Sequence, residues 1–305
     1  MKLVIATRGS ELALWQAHHV EGRLAALGHT IELRVIKTTG DKILDRPLAE
    51  VGGKGLFVKE IELALLDGSA DLAVHSMKDV PADLAAGLTM AAVSEREDVR
   101  DALVSRGGTT FAQLPAGARV GTSSLRRVCQ LRALRGDLEF IPLRGNVPTR
   151  IDKVTSGQVD AAVLAAAGLR RLGRAEAISE LFDPAHIIPA GGQGALGIET
   201  RSGDDAIIAE VRRALHHEAD AGCVAAERAL LARLGGGCQT PLAAHARLIE
   251  AGTLELRALV GRPDGSQLIR AERVGAASDP AALGSAVGTE LLSRGADRIL
   301  RDLAG

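Results

Sequence analysis

Val120-Gly121-Thr122-Ser123-Ser124-Leu125-Arg126-Arg127 reads as a strand that ends in small hydroxyl residues and runs straight into a helix opening on two arginines. Such a junction gathers backbone N–H groups, the positive end of a helix, three hydroxyls and two guanidinium groups at one point, which suits an anion. The competing reading is a serine N-cap followed by exposed arginines. Working outward, Leu143-Arg144-Gly145-Asn146-Val147-Pro148-Thr149-Arg150 repeats the device, with Arg144 at a strand end and Arg150 on the next helix. Gly168-Leu169-Arg170-Arg171 follows a third strand, Ala161 to Ala165, and Arg8-Gly9-Ser10 follows the first strand of the chain. Open parallel sheets take ligands at the carboxyl ends of their strands, so these residues are expected to line one cleft.

The surrounding rhythm supports α/β architecture. Lys2 to Ala6 is a short apolar strand, and Ser10 precedes Leu12, Leu14, Trp15, Val20 and Leu24 at helical spacing. Ile31 to Lys37 alternates like a strand, Thr38 to Gly55 reads as a long mobile loop, Leu56 to Leu66 as a helix, and Asp71 to His75 as a strand ending at Ser76-Met77-Lys78-Asp79-Val80-Pro81. The pattern restarts near residue 100. Asp101 to Ser105, Arg119 to Gly121, Phe140 to Leu143 and Ala161 to Ala165 read as strands, with helices over Leu125 to Leu134 and Val147 to Ser156. Ala195 to Thr200 is another strand and Ile207 to Leu215 a helix. From Cys238 the style changes to three strands, His245 to Ile249, Thr253 to Val260 and Gln267 to Arg273, followed by two helical stretches, a small α+β unit.

Composition narrows the function. The chain has 305 residues, 46% hydrophobic and 25% charged, enough for two or three domains with ample core. Its net charge is −1, yet Arg100 to Arg174 holds twelve Arg and one Lys against five acids, a local +8. Arginine grips carboxylate or phosphate through a planar fork, so an Arg-rich centre in a neutral protein points to an oligoanion; a solvated basic face is the alternative. Aromatic residues are 2% of the chain, too few to stack nucleobases, so no nucleic-acid partner is expected. The longest apolar run, Ala161 to Leu169, is too short for a bilayer, and the first residues do not read as a signal peptide, so a cytoplasmic protein without a membrane partner is expected. Three cysteines, Cys129, Cys223 and Cys238, make a disulfide framework an unlikely design.

Other motifs carry less. Gly192-Gln193-Gly194-Ala195-Leu196-Gly197 matches G-x-G-x-x-G, but a strand rather than a helix follows, which argues against a dinucleotide site. Gly52-Gly53-Lys54-Gly55 lacks the spacing of a phosphate-binding loop. His18-His19 and His216-His217 are read as adjacent pairs on helices, pointing different ways and binding no metal. Asp79 is an ionised acid beside a cation, suited to stabilise a developing cation or pass a proton; a structural ion pair is the alternative. Cys238, after Gly235-Gly236-Gly237, is an accessible thiol that could be a nucleophile or attachment point, or an inert loop thiol.

Taken together, the motifs resemble the porphobilinogen deaminase family along nearly the whole chain, in order. The matching segments run from Ile5-Ala6-Thr7-Arg8 and Leu12-Ala13-Leu14-Trp15-Gln16-Ala17 through Gly52-Gly53-Lys54-Gly55-Leu56-Phe57-Val58-Lys59-Glu60 and Ala73 to Pro81. They continue through Gly121 to Arg127, Leu143 to Arg150 and Gln193-Gly194, to Gly236-Gly237-Cys238-Gln239 and Arg257-Ala258-Leu259-Val260.

The resemblance implies an enzyme that joins four porphobilinogen molecules head to tail, releases ammonia at each step, and hydrolyses off the linear tetrapyrrole hydroxymethylbilane. It implies a dipyrromethane cofactor linked by a thioether to Cys238, and Asp79 as the catalytic carboxylate. Cofactor carboxylates fall to Ser76, Lys78, Thr122, Ser124, Arg126, Arg127 and Arg150, and substrate carboxylates to Arg8, Ser10, Arg144, Arg150 and Arg171. Gln16, Lys54, Phe57 and Gln193 line the site. The implied fold is two α/β domains like type II periplasmic binding proteins plus a small C-terminal α+β domain with a three-stranded antiparallel sheet. The expected boundaries are 1–97 with 195–213, then 98–190, then 216–305, in a monomer. The chemistry agrees: each porphobilinogen brings an acetate and a propionate, and loss of ammonia and pyrrole attack both create positive charge that one carboxylate can stabilise. A non-catalytic oligoanion-binding protein would explain the arginines but needs neither Asp79 nor Cys238, and a phosphoryl-transfer enzyme lacks its phosphate loop and metal ligands.

Overall fold

The computed structural model of the chain describes residues 1–42, 58–237 and 240–304. In chain order the first elements are β1 (Lys2–Arg8), α1 (Glu11–Ala25), β2 (Thr30–Ile36), α2 (Thr39–Lys42), α3 (Lys59–Leu66), β3 (Leu72–Ser76) and β4 (Leu88–Val93). Next come β5 (Asp101–Ser105), β6 (Arg119–Gly121), α4 (Leu125–Leu134), β7 (Glu139–Ile141), α5 (Val147–Thr155), β8 (Ala161–Ala165), α6 (Ala166–Arg171) and β9 (Glu180–Leu181). The last are β10 (Leu196–Arg201), α7 (Asp205–Leu215), α8 (Glu218–Arg233), β11 (Leu242–Glu250), β12 (Thr253–Gly261), β13 (Leu268–Ala276), α9 (Pro280–Ser293) and α10 (Ala296–Ala304).

Two five-stranded sheets and one three-stranded sheet organise the described residues. The first sheet runs β2-β1-β3-β10-β4, with β1 parallel to β2 and β3, and β10 antiparallel to both β3 and β4. The second runs β7-β6-β8-β5-β9, with β6 parallel to β7 and β8, and β5 antiparallel to both β8 and β9. The two therefore share one plan, three parallel strands and a reversed strand in the fourth place. Period-two alternation builds both faces of the first sheet. Leu3, Ile5, Leu72 and Val74 pack with Ala17, Val20 and Leu24 of α1 and Val211 of α7, while Val4, Ala6 and Ala73 pack with Ile61, Ala64 and Leu65 of α3. The third sheet, β11-β12-β13, buries Leu254, Leu256, Ala258 and Val260 against Leu230 of α8 and Leu283, Val287 and Leu291 of α9.

Chain contacts group Met1–Glu97 with Ala195–Ala221 as one compact unit and Asp98–Gly194 with Gly222–Gly305 as another. The C-terminal sheet thus shares a unit with the second α/β sheet. Cys129 of α4 packs with Ile188, Ala243 of β11 and Leu259 of β12, and the Ala244 amide donates to the Pro189 carbonyl at 3.1 Å. Helix α8 crosses the division between the units. Among the described residues no helix is long and apolar enough to cross a membrane.

Several local expectations shift. The strand expected over Phe140 to Leu143 is Glu139–Ile141, because Pro142 has no N–H to continue the ladder. The loop expected from Thr38 begins with the helical turn α2, anchored where the Thr39 amide and hydroxyl both donate to Glu60 Oε1, at 2.8 and 2.5 Å; its stretch 43–55 lies outside the described residues. His216 and His217 lie between α7 and α8, not on a helix: the Val93 amide donates to His216 Nδ1 at 3.3 Å and His217 pairs with Asp220 at 2.7 Å. His18 pairs with Glu21, His19 stacks on Trp15, and the described residues hold no metal-binding cluster. Gly192 and Gly194 take positive φ in a turn that leads into β10, so the glycine motif opens a strand.

Candidate active site

In the first unit the site is built on the carboxyl ends of β1 and β3, which are neighbours in register Ile5↔Leu72 and Ala6↔Ala73. Arg8 ends β1, and Ser10 caps α1 by accepting the Ala13 amide at 3.3 Å. Gln16, buried on α1, donates through Nε2 to the Ser76 hydroxyl at 2.8 Å and so ties the helix to the end of β3. A single 3-10 turn, Met77–Asp79, follows. Its apolar residues Met77 and Val80 are buried, the Met77 amide donates to the Ala195 carbonyl at 3.0 Å, and the turn thereby presents a half-buried Lys78 and an exposed Asp79. Behind the strand, His75 Nε2 meets the buried Glu199 at 3.0 Å.

In the second unit the loops after β6, β7 and β8 meet at one sheet edge, since these strands are parallel. The Ser123 hydroxyl donates to the Leu143 carbonyl and accepts the Leu143 amide, both at 3.0 Å, which locks the first two loops side by side. Gly121 allows this approach, because a Cβ there would lie 2.7 Å from Leu143 Cδ2. The Thr122 hydroxyl accepts the Ser124 amide at 3.3 Å, and Asn146 caps α5 through the Thr149 amide at 2.9 Å. Arg144 sits between β7 and α5 and its carbonyl accepts from Lys153; Arg150 Nε donates to the Gly145 carbonyl at 2.8 Å, and Arg171 Nη2 to the Gly194 carbonyl at 2.6 Å.

Arg126 and Arg127 are not the exposed arginines of the competing reading. Both are buried, and both close on Asp101, the first residue of β5, which lies at this same edge opposite Ala165. Burial pushes the Asp101 carboxyl upward, but the charges and hydrogen bonds of the two guanidinium groups more than offset it and hold the carboxyl well below the ordinary range. Much of the local positive charge is likewise matched: Asp98 takes Arg100 and Arg170, Asp160 takes Arg119 and Arg106, and Asp137 takes Arg135.

Sequence reasoning missed Asp101 and Gln193's part in the same network, where Gln193 Nε2 donates to the Val99 carbonyl at 2.7 Å and to Asp101 Oδ1 at 3.0 Å. The available signal was a lone acid opening the apolar run Ala102-Leu103-Val104, since a charge in a buried strand requires partners. Cys129 and Cys223 are buried free thiols, and burial pushes the Cys129 thiol up to about 11, which makes it inert. Cys238, Lys54 and Phe57 lie outside the described residues.

The donor set of the second unit suits a polycarboxylate: guanidinium groups, hydroxyls, and a helix α4 whose N-cap residue, Ser124, makes no side-chain capping bond of its own. Solved structures similar in fold include a methionine binding protein, MetQ, 14% identical at TM-score 0.44 over 70% of this chain and 89% of that one. An ancestral arginine-binding protein bound to glutamine is 16% identical at TM-score 0.39, over 70% of this chain and 89% of that one. A porphobilinogen deaminase from Syntrophobacter fumaroxidans is 53% identical over 301 residues, 98% of this chain and 97% of the relative. The family model "Porphobilinogen deaminase, dipyromethane cofactor binding domain" matches residues 3–209, so the cofactor is a dipyrromethane, and the model of the porphobilinogen deaminase C-terminal domain matches residues 221–293. With both models in chain order and a relative matched from end to end, the chain belongs to the porphobilinogen deaminase family.

Proposed function

We propose a division of labour among this chain's residues for the family's reaction. The reaction is that of a transferase: four porphobilinogen molecules are condensed head to tail with loss of ammonia, and the linear tetrapyrrole hydroxymethylbilane is released by hydrolysis. Asp79 is the catalytic carboxylate. The observation that carries this is the Met77–Asp79 turn, which buries Met77 and Val80 and lifts one carboxylate out of the edge formed by Arg8, Ser76 and Lys78. When ammonia leaves the aminomethyl carbon, the C–N pair departs with it and positive charge spreads over the pyrrole; Asp79 stabilises that charge and takes part in moving the proton lost from the pyrrole once the new C–C bond forms. When bound, the dipyrromethane supplies the pyrrole carbon from which the chain grows.

Ser76 and Lys78 in the first unit, and Thr122, Ser124, Arg126, Arg127 and Arg150 in the second, hold cofactor carboxylates. Arg8, Ser10, Arg144, Arg150 and Arg171 hold those of the substrate, and Gln16, Lys54, Phe57 and Gln193 complete the lining. Cys238 is the attachment point, and the burial of Cys129 and Cys223, with the Cys129 thiol pushed up to about 11, supports it. The domains run 1–97 with 195–213, 98–190 and 216–305, and the grouping of Asp98–Gly194 with Gly222–Gly305 supports close packing of the second and third. The chain acts as a cytoplasmic monomer; two free thiols in its core suit a reducing compartment. Intact mass tests the central assignment. Wild type, Cys129→Ser and Cys223→Ser should each weigh one dipyrromethane more than their sequences, and Cys238→Ser should have its bare sequence mass. An adduct on Cys238→Ser overturns the attachment site.

A further inference from the structure

Adjacent residues on a helix project about 100° apart, so side chains at i and i+1 do not face one another. Arg126 and Arg127 are adjacent on α4 and carry like charges, yet their guanidinium groups meet at one point. What joins them is a single carboxylate. Asp101 Oδ2 accepts Arg126 Nη1 at 2.6 Å, and Asp101 Oδ1 accepts Arg126 Nη2 at 3.2 Å, Arg127 Nε at 3.0 Å and Arg127 Nη2 at 2.8 Å. Gln193 Nε2 adds a fifth bond at 3.0 Å, Arg126 Nη1 also donates to the Ile188 carbonyl at 2.9 Å, and Arg127 Nη1, turned from the carboxylate, donates to the Val163 carbonyl at 2.8 Å. The Asp101 side chain itself is fully enclosed. It reaches no ligand; it decides where the two arginines sit and reduces their joint charge to a single positive one.

We propose that Asp101 is a positioning residue for cofactor loading: it draws Arg126 and Arg127 into one receptor for the carboxylates of the dipyrromethane. This rests on the reading above that these two arginines hold cofactor carboxylates. With a neutral residue at 101, two buried like charges lose the group that gathers them. They separate toward solvent, and the receptor loses both its aim and its balance of charge.

The experiment follows loading of apoprotein, made without porphobilinogen, after porphobilinogen is added, by intact mass against time, with circular dichroism to verify folding at the assay temperature. Folded Asp101→Asn should load at least roughly ten-fold more slowly than wild type, the loss expected from one well-aimed charge-assisted bond. Sodium formate should speed loading of Asp101→Gly and leave wild type unchanged, because formate can take the place of the missing carboxylate. A purely structural Asp101 would lower the melting temperature without either effect, so wild-type loading by folded Asp101→Asn overturns the proposal. Should that variant not fold, Asp101→Glu keeps the charge but moves the carboxylate by about one C–C bond, and wild-type loading by it overturns the proposal equally. Arg127→Leu separates the two levels: if it loads normally, the arginine assignment fails, whereas slow loading by Arg127→Leu with normal loading by Asp101→Asn sinks only the role of Asp101.

Discussion

Gly197 sits on β10 where the turn bearing Asp79 is anchored, and replacing it with alanine tests how tightly that turn is held. Its φ is not positive, so an alanine suffers no backbone strain, but its Cβ would lie 2.8 Å from Met77 Sδ and 2.9 and 3.2 Å from Met90 Sδ and Cε. Ordinary contacts are about 3.5–4.0 Å, so both sulfurs must yield by roughly an ångström. Met90 is half-buried and can swing aside, whereas Met77 is 2% exposed, so its thioether has little room to turn and passes strain to its own turn. Overpacking of this kind costs about 1–3 kcal/mol, and the stiffer unfolded chain returns about 0.4–1 kcal/mol, leaving a loss of roughly 1–2 kcal/mol. The melting temperature of Gly197→Ala should drop by roughly 2–6 °C. The larger effect should fall on chemistry, because a displacement near 1 Å at a reacting group costs on the order of 10²-fold. Single-turnover assays on protein verified by mass to carry its cofactor should show a loss of about 10- to 100-fold. Adding Met90→Ala should not restore the turnover, since it relieves only the Met90 clash and leaves the one with Met77. Wild-type turnover by Gly197→Ala would refute the argument that Met77 packing positions Asp79.

Three further outcomes are expected. Asp79→Asn should keep its cofactor and bind porphobilinogen while single-turnover rates fall by at least ~10²-fold, with Asp79→Glu recovering part of the loss; a near-normal Asn variant removes the catalytic role. Arg127→Leu should impair cofactor loading, read by mass, whereas Arg8→Leu should load fully and lose about 1.5–3 kcal/mol of substrate binding, read as roughly one to two decades in KM. The acid limb of stability should track Asp101: its folded pKa is depressed, so its contribution is complete above the unfolded value near ~4 and is lost as pH falls below it, and urea midpoints between pH ~5 and ~3 should decline less steeply for Asp101→Asn than for wild type.

What the sequence alone determined are the features set by neighbours along the chain. A continuous apolar run specifies β1 and an alternating one β2, and the caps at Ser10 and Asn146 start their helices where a side-chain oxygen can take a free amide. The strand-end positions of the arginines were legible for the same reason, whereas Asp79 and Cys238 were singled out by the resemblance of their segments to a family pattern. Tertiary structure decided whatever depends on partners distant in the chain. The strand Leu88–Val93 and the two-residue β9 carry little pattern of their own and exist because β10 and β5 pair with them. Helix α8 buries Cys223, Val224, Ala226, Glu227 and Leu230 on one side, but a glutamate on that side and alanines around the rest blur the face in the sequence. The state of Arg126 and Arg127 was beyond sequence altogether. Two arginines on a helix look the same whether they project into solvent or converge on a carboxylate 25 residues away, and only the antiparallel pairing of β5 with β8 brings Asp101 to them. Charge at a buried site is a property of the whole constellation, because low-dielectric surroundings make each group's energy depend on every other group nearby.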